Sequence, residues 1–389
     1  MIGDLTPKPP DQLLKLMRAF RDDPRADKID LGIGVYRNDA GETPIMAAVK
    51  QAERLLLAAQ TSKAYVAAEG DAEFVSLLGE LAFAAGAANL VGVQAVGGTG
   101  ALRLGCDLLR VSGARRVLLP APSWPNHPAI IAAAGLEKID IPFFDIATQR
   151  VDLDRLIEGL AKLEPGDAII LQGCCHNPLG ADFTLPQWDA LADAIGARGL
   201  IAFIDIAYQG LGAGIDRDLD GARRLLARGS QALIAVSGSK SFGLYRERVG
   251  ALYVQGDKRA RDAIVTNINA ITRANYSMPP DHGAAIVRIV LSDAELRKAW
   301  RGELDAMRER IQATRTSLAA AELDGLPLVF IGEQKGMFST LPLTPARIAA
   351  MRAAHAIHMT ESGRINVAGL RQADIARFLA ALASVLAKS

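Results

Sequence analysis

Ala168-Ile169-Ile170-Leu171-Gln172, a helical stretch over 186–197, and Leu200-Ile201-Ala202-Phe203-Ile204-Asp205 follow one another in mid-chain. Both apolar runs are short and continuous rather than alternating, the pattern of strands covered on both faces. A helix between two such strands acts as a crossover, so the strands lie parallel. The pattern extends outward in both directions. Arg116-Val117-Leu118-Leu119-Pro120 and Ala232-Leu233-Ile234-Ala235-Val236 read as further strands, and 128–134 and 222–227 as helices. The expected fold class is α/β, a mostly parallel sheet between layers of helices.

The two ends read differently. Pro7, Pro9 and Pro10 cannot begin a regular helix and suggest an extended arm. Asp11 caps a helical run over 12–21, with Leu13, Leu14, Leu16, Met17 and Phe20 at helical spacing. Gly41-Glu42-Thr43-Pro44 is a turn before a helix over 45–60. Towards the C-terminus, 293–323 is a long charged amphipathic helix. Short strands are expected at Leu328-Val329-Phe330 and Gly336-Met337-Phe338-Ser339, and a closing helix from Ala373 to Lys388. The resulting division is an arm (1–12), a large domain (48–300) and a smaller α+β domain built from both termini (13–47 and 301–389).

Composition narrows the function. The chain has 389 residues, 50% apolar and 22% charged, enough to bury a sizeable core. A net charge of +1 argues against nucleic acid as the main partner. Three cysteines form no CxxC pair and fit a reducing, cytoplasmic setting; no signal peptide is evident. The uncharged stretch 81–102 is long enough to span a bilayer. Asn89, Gln94, Gly86, Gly92 and Gly97-Gly98-Thr99-Gly100 break it into helix, turn, short strand and glycine turn, so no membrane association is expected.

In open α/β sheets, ligands bind beyond the carboxyl ends of the strands. Here those ends carry chemistry. After 168–172 comes Gly173-Cys174-Cys175-His176-Asn177-Pro178, and the next strand runs into Asp205-Ile206-Ala207-Tyr208. Ser237-Gly238-Ser239-Lys240-Ser241-Phe242-Gly243 follows 232–236, and Gly97-Gly98-Thr99-Gly100 opens a helix after 93–96. Taken singly, each has a plain reading: a helix start, a surface lysine, a helix cap. The glycine turn matches neither GxGxxG nor GxxxxGK[ST]. Together they supply a phosphate cradle, an amine able to form an imine, a carboxylate and a phenol. That set suits pyridoxal 5′-phosphate (PLP) bound through a Schiff-base lysine.

With these motifs in this order, the whole chain resembles the aspartate and aromatic aminotransferases of class I, fold type I. Leu31-Gly32-Ile33-Gly34-Val35-Tyr36, Pro122-Ser123-Trp124-Pro125-Asn126-His127, Arg273-Ala274-Asn275-Tyr276-Ser277 and Ser362 to Gly369 add to the match. The resemblance implies that Lys240 forms the imine and moves the substrate proton, in a ping-pong aldimine/ketimine cycle. It implies that Asp205 pairs with the pyridinium nitrogen, with His127 behind it. Asn177 and Tyr208 would bond the ring's phenolic oxygen, and Trp124 would stack on the ring. Gly98, Thr99, Ser237 and Arg248 would hold the phosphate, with Tyr65 reaching in from the other subunit of a homodimer. Arg364 would clamp the α-carboxylate beside Gly34, and Arg273 would reach across the dimer to the side-chain carboxylate. No metal is implied.

The departures bear on specificity. Leu179 replaces the threonine of Asn-Pro-Thr-Gly, and Gln172 stands where many relatives have histidine. Met278 and Ala64 are less polar than the residues of aspartate-specific relatives, whereas Val35, Arg37, Thr43 and Thr99 follow the aspartate pattern. The expected activity is transamination of aspartate or glutamate, extending to aromatic donors, with 2-oxoglutarate or oxaloacetate. The alternatives are an aromatic-preferring aminotransferase and a PLP β-lyase on the same fold. A PLP-binding regulator would carry a DNA-binding extension, which is not expected here.

Overall fold

The structure, a computed structural model, describes residues 2–7 and 12–387; Pro9, Pro10, the cap expected of Asp11 and the helix end at Lys388 lie outside the described residues. Seven strands form the main sheet: β1 Val91–Val96, β2 Arg116–Ala121, β3 Glu137–Pro142, β4 Ala168–Gln172, β5 Ile201–Ile206, β6 Ala232–Ser237 and β7 Val249–Gln255. Their spatial order is β1-β7-β6-β5-β4-β2-β3. Neighbours from β6 to β3 pair in parallel, and β7 runs antiparallel to both β1 and β6.

Alternate residues of these strands feed two apolar cores. Leu118, Ile169, Leu171, Ile204, Ile234 and Ala251 enter one, and Val117, Ile170, Phe203, Leu233 and Leu252 the other. Both faces are therefore dry, which is why the central strands read as unbroken apolar runs. The edge strand β3, Glu-Lys-Ile-Asp-Ile-Pro, is largely exposed and sends Ile141 inward. Its charges hid it from a search for apolar runs.

A third core gathers the two ends of the chain. Ile29 and Leu31 pack with Leu328, Ile331, Ile348, Met351, Phe378 and Leu382. Ile29–Asp30 pairs in parallel with Ile357–His358, and Phe338–Thr340 antiparallel with Arg364–Asn366. The long helix, Ala294–Ala319, joins the cores: Trp300, Leu304 and Ile311 serve the first and Leu318 the third. Asp293 caps it, accepting from the backbone of Glu295 and Leu296 at 2.9 Å.

One expected strand is corrected. Leu328-Val329-Phe330 leads into a short helix, Val329–Glu333. Leu328 and Ile331 are buried while Val329 is exposed, so burial follows a three-residue step rather than alternation. Four apolar residues between Pro327 and Gly332 are too few to display either period.

Trp300 ties the long helix to the turn after β6. Its ring stacks on Phe242 with centroids 4.6 Å apart, and its indole N–H donates to the Ser241 carbonyl at 2.8 Å. Trp300→Ala should lower unfolding stability by about 3–5 kcal/mol, read by denaturant titration. A loss below about 1 kcal/mol would show that this contact does not anchor the helix.

Candidate active site

The parallel strands and β1 all end at one edge of the sheet. Because β7 runs the other way, its first residues arrive at that same edge, and Arg248 with them. A cavity of about 200 Å³ opens there. Its walls include Gly34, Gly98, Thr99, Trp124, Asn177, Asp205, Tyr208, Ser237, Lys240 and Arg248. Leu102, Gln172, Ala207, Ser239 and Tyr245 complete them. Of these, Leu102, Ala207, Ser239 and Tyr245 lie within or beside the quoted motifs, but no sequence signal singled them out.

At one end lies an anion cradle. Gly97 has φ +67°, which lets β1 turn directly into the helix Gly97–Val111. A Cβ on Gly97 would lie 2.6 Å from Arg248 Nη2, and one on Gly98 would lie 2.9 Å from Ser237 Cβ. Only bare backbone leaves that room. Free N–H groups of the first helical turn, two hydroxyls and a guanidinium converge there, a donor set suited to a phosphate. Arg248 itself adopts φ +55°, an uncommon conformation, and donates to the Tyr245 carbonyl at 3.1 Å.

Lys240 and Asp205 face the middle of the cavity. Burial pulls the Lys240 ammonium down to about 8, with Asp205 opposing and Arg248 adding to the fall. A good fraction of the amine is therefore neutral near physiological pH, as a nucleophile requires. It lies 4.8 Å from the centre of the Tyr208 ring. Asp205 is buried and accepts from His127 Nε2 at 3.1 Å, while His127 Nδ1 meets Ser123 Oγ at 2.8 Å. If His127 is neutral and gives its Nε2 proton to Asp205, Nδ1 must accept from Ser123. Trp124 meets His127 edge to face at 5.2 Å.

Beyond the amine, Asn177 Nδ2 donates to Tyr208 Oη at 3.1 Å, and Asn177 Oδ1 accepts from Arg364 Nη1 at 3.2 Å. Burial pushes the Tyr208 phenol up against the pull of Arg364 and Asn177, so it remains protonated and can donate. Gln172, in the place of the expected histidine, brackets Asn177: it donates to the Asn177 carbonyl and accepts from its N–H, both at 2.8 Å. It also lies 3.4 Å from Ser123 Oγ. A continuous hydrogen-bonded line thus runs from Asp205 through His127, Ser123, Gln172 and Asn177 to Arg364. His176 beside it is buried and pulled down to about 3 by desolvation and by His127, and so stays neutral.

Three expected residues do not line this cavity: Arg364, which lies behind Asn177 and donates to it, and two that stand apart from it. Tyr65 is 91% exposed, and Arg273 is exposed at the end of Arg261–Asn275, donating to Ser277 Oγ. Within one chain the structure does not bring them to Lys240. Cys174 and Cys175 are buried; a hydrogen bond from Cys175 pulls the Cys174 thiol down, but burial and nearby aspartates carry it up to about 11. Both thus lack thiolate reactivity. They approach Asp218, whose oxygens already accept from the backbone N–H groups of Gly210, Gly212 and Ala213.

The chain is similar to known proteins along nearly its whole length. A family model described as aminotransferase class I and II matches residues 26–382. A tyrosine aminotransferase of Rhizobium meliloti (strain 1021) is 46% identical, covering 97% of this chain and 98% of that protein. An aspartate aminotransferase of Escherichia coli (strain K12) is 39% identical, covering 99% and 100%. The crystal structure of an aromatic-amino-acid aminotransferase from Burkholderia pseudomallei, covalently bound to pyridoxal phosphate, superposes with a TM-score of 0.95 at 38% identity, covering 99% of each chain.

The desolvated amine gives a pH signature. In the protein without added ligand, reductive methylation of Lys240 by formaldehyde should rise through about pH 8 as the amine loses its proton, followed by peptide mass spectrometry. A profile centred near the ordinary 10.5 would show that the group is not desolvated.

Proposed function

The chain belongs to the class I and II aminotransferase family, and from that premise we propose that it moves amino groups from aspartate, glutamate and aromatic amino acids to 2-oxoglutarate or oxaloacetate, using PLP. One observation carries this reading: a buried amine with a lowered pKa shares a single cavity with Asp205 and an anion cradle.

The residues present fit the cofactor. The cradle of Gly98, Thr99, Ser237 and Arg248 matches its phosphate, and the cavity of about 200 Å³ has the scale of one small aromatic ring and its substituents. When bound, PLP supplies an aldehyde that condenses with amines and a ring that withdraws electron density from the substrate's α-carbon. The chain's residues do the rest. Lys240 would supply the amine that holds the cofactor and, as a free amine, would take the substrate's α-proton. Asp205, held by His127, would pair with the ring nitrogen and favour its protonated form. Asn177 and Tyr208 would donate towards the ring hydroxyl, and Trp124 would cover the ring face.

Arg364 is the clamp for the α-carboxylate: its guanidinium is buried, and its Nε–H has no protein partner. Arg273 reads the side-chain carboxylate, and Tyr65 the phosphate, from a second copy. Their exposure in the single chain supports a homodimer with shared sites. The large domain, 48–300, would carry the cofactor, and 13–47 with 301–389 would close over the substrate, excluding water. No described helix is long and apolar enough to cross a membrane, and the three free cysteines fit the cytoplasm.

A panel of donors with 2-oxoglutarate tests the substrate range. An aromatic-preferring enzyme is the second reading, favoured by Met278, Ala64 and the tyrosine aminotransferase relative. It is upheld if kcat/KM for tyrosine or phenylalanine exceeds that for aspartate by more than about tenfold. Lys240→Ala should lower turnover by at least about 10³-fold, and retained steady-state turnover would remove Lys240 from its role.

Arg273→Ala should cut kcat/KM for aspartate by hundreds-fold, the scale set by about 3–5 kcal/mol for an unpaired buried charge. The loss for phenylalanine should stay below about tenfold. Equal losses would argue against recognition of the distal carboxylate, and a chain sedimenting as an active monomer would argue against shared sites.

A further inference from the structure

The backbone from Asp30 to Arg37 carries Gly34 to the cavity wall, and an acid outside the cavity governs its shape. The Asp30 side chain is 1% exposed. Its Oδ1 accepts from the N–H groups of Gly32 at 2.9 Å and Ile33 at 3.3 Å, and its Oδ2 accepts from Arg37 Nη2 at 2.8 Å. The Ile33 N–H and the Gly32 carbonyl belong to one planar trans peptide unit and point in opposite directions. That carbonyl accepts from Arg364 Nη2 at 2.6 Å. Asp30 therefore grips one end of a rigid unit whose other end grips the arginine.

The remaining contacts of Arg364 explain why this grip matters. Nη1 is engaged by Asn177, and the guanidinium lies 4.6 Å over the Phe338 ring. Nε is buried and has no partner. The protein thus engages two of the five guanidinium N–H groups and holds the plane, leaving Nε–H and one N–H on each terminal nitrogen without a protein acceptor. The direction in which the guanidinium presents them is set jointly by the Asn177 amide and the Gly32 carbonyl. Neighbouring bonds hold the rest of the segment without touching the 32–33 peptide: Asn366 Nδ2 donates to the carbonyls of Ile33 and Val35, and Tyr36 N–H donates to Tyr245 Oη. Arg37 balances the buried charge of Asp30 from the solvent side.

We infer that Asp30 is a positioning residue for substrate binding: by orienting the Gly32–Ile33 peptide it aims Arg364 at the α-carboxylate. The inference rests on the reading of Arg364 as the α-carboxylate clamp. Every donor has that carboxylate, so the effect is blind to the donor's side chain, unlike that of Arg273.

Three variants of the holoenzyme test it, each with aspartate and phenylalanine as donors. Asp30→Ala should raise KM about tenfold for both donors while kcat changes less than about threefold, the scale of a lost hydrogen bond to a charged group. Asp30→Asn keeps an oxygen for the two N–H groups and should restore KM to within about threefold of the parent. Arg364→Lys should raise KM for both donors more than Asp30→Ala does. A crystal structure of Asp30→Ala without cofactor should show the Gly32 carbonyl turned away from Arg364 Nη2.

Merely structural support from Asp30 would lower the melting temperature and leave KM and the carbonyl in place, which overturns the inference. An unchanged KM in Arg364→Lys overturns the clamp and the inference with it. An unchanged KM in Asp30→Ala with a damaged Arg364→Lys overturns the inference alone.

Discussion

Desolvation of the Lys240 amine is the constraint on which the site depends. An ammonium in an apolar interior loses its hydration, so the neutral form gains and the group becomes a nucleophile near neutral pH. Such a position is tolerable only if nearby charge and hydrogen bonds are arranged around it. The sheet edge provides that arrangement. Asp205, one strand over, supplies negative charge without a direct bond to the amine. Tyr208 supplies a ring face 4.8 Å away, and Arg248 adds positive charge. The balance keeps the amine neutral enough to react while the acid stays buried.

The antiparallel β7 is an architectural consequence of the same requirement. A sheet of parallel strands alone would present strand ends and helix N-termini at its carboxyl edge. Reversing one strand delivers the beginning of a strand to that edge, so Arg248 meets the Gly97–Val111 helix from across the cradle. Helix N–H groups and a guanidinium then border the same space from two directions, which neither element does alone.

The polar groups around the cavity form one connected system rather than independent contacts. Asp205 reaches Arg364 through His127, Ser123, Gln172 and Asn177, and Arg364 reaches Asp30 through the Gly32 peptide. The satisfied members of a buried network hold one another in place, and here Arg364 Nε–H is left without a protein partner. Gln172 illustrates the point. Its amide offers both a donor and an acceptor and so fixes the Asn177 backbone from both sides.

What the sequence determined by itself was the alternation of strands and helices and the chemistry at the strand ends. Continuous apolar runs mark strands dry on both faces, and Gly, Ser, Asn, Asp and Lys directly after them stand out against that background. The charged edge strand β3 and the short helix at Val329–Glu333 were not legible, because one has too few apolar residues and the other is too short to show its period. Pairwise geometry was not legible either. Asp30 looks like any acid after a strand until the fold brings residue 364 to the carbonyl of residue 32. Tertiary structure alone decided that, because a hydrogen bond depends on direction and on a separation of a few ångströms, and neither is written in the spacing of residues along a chain.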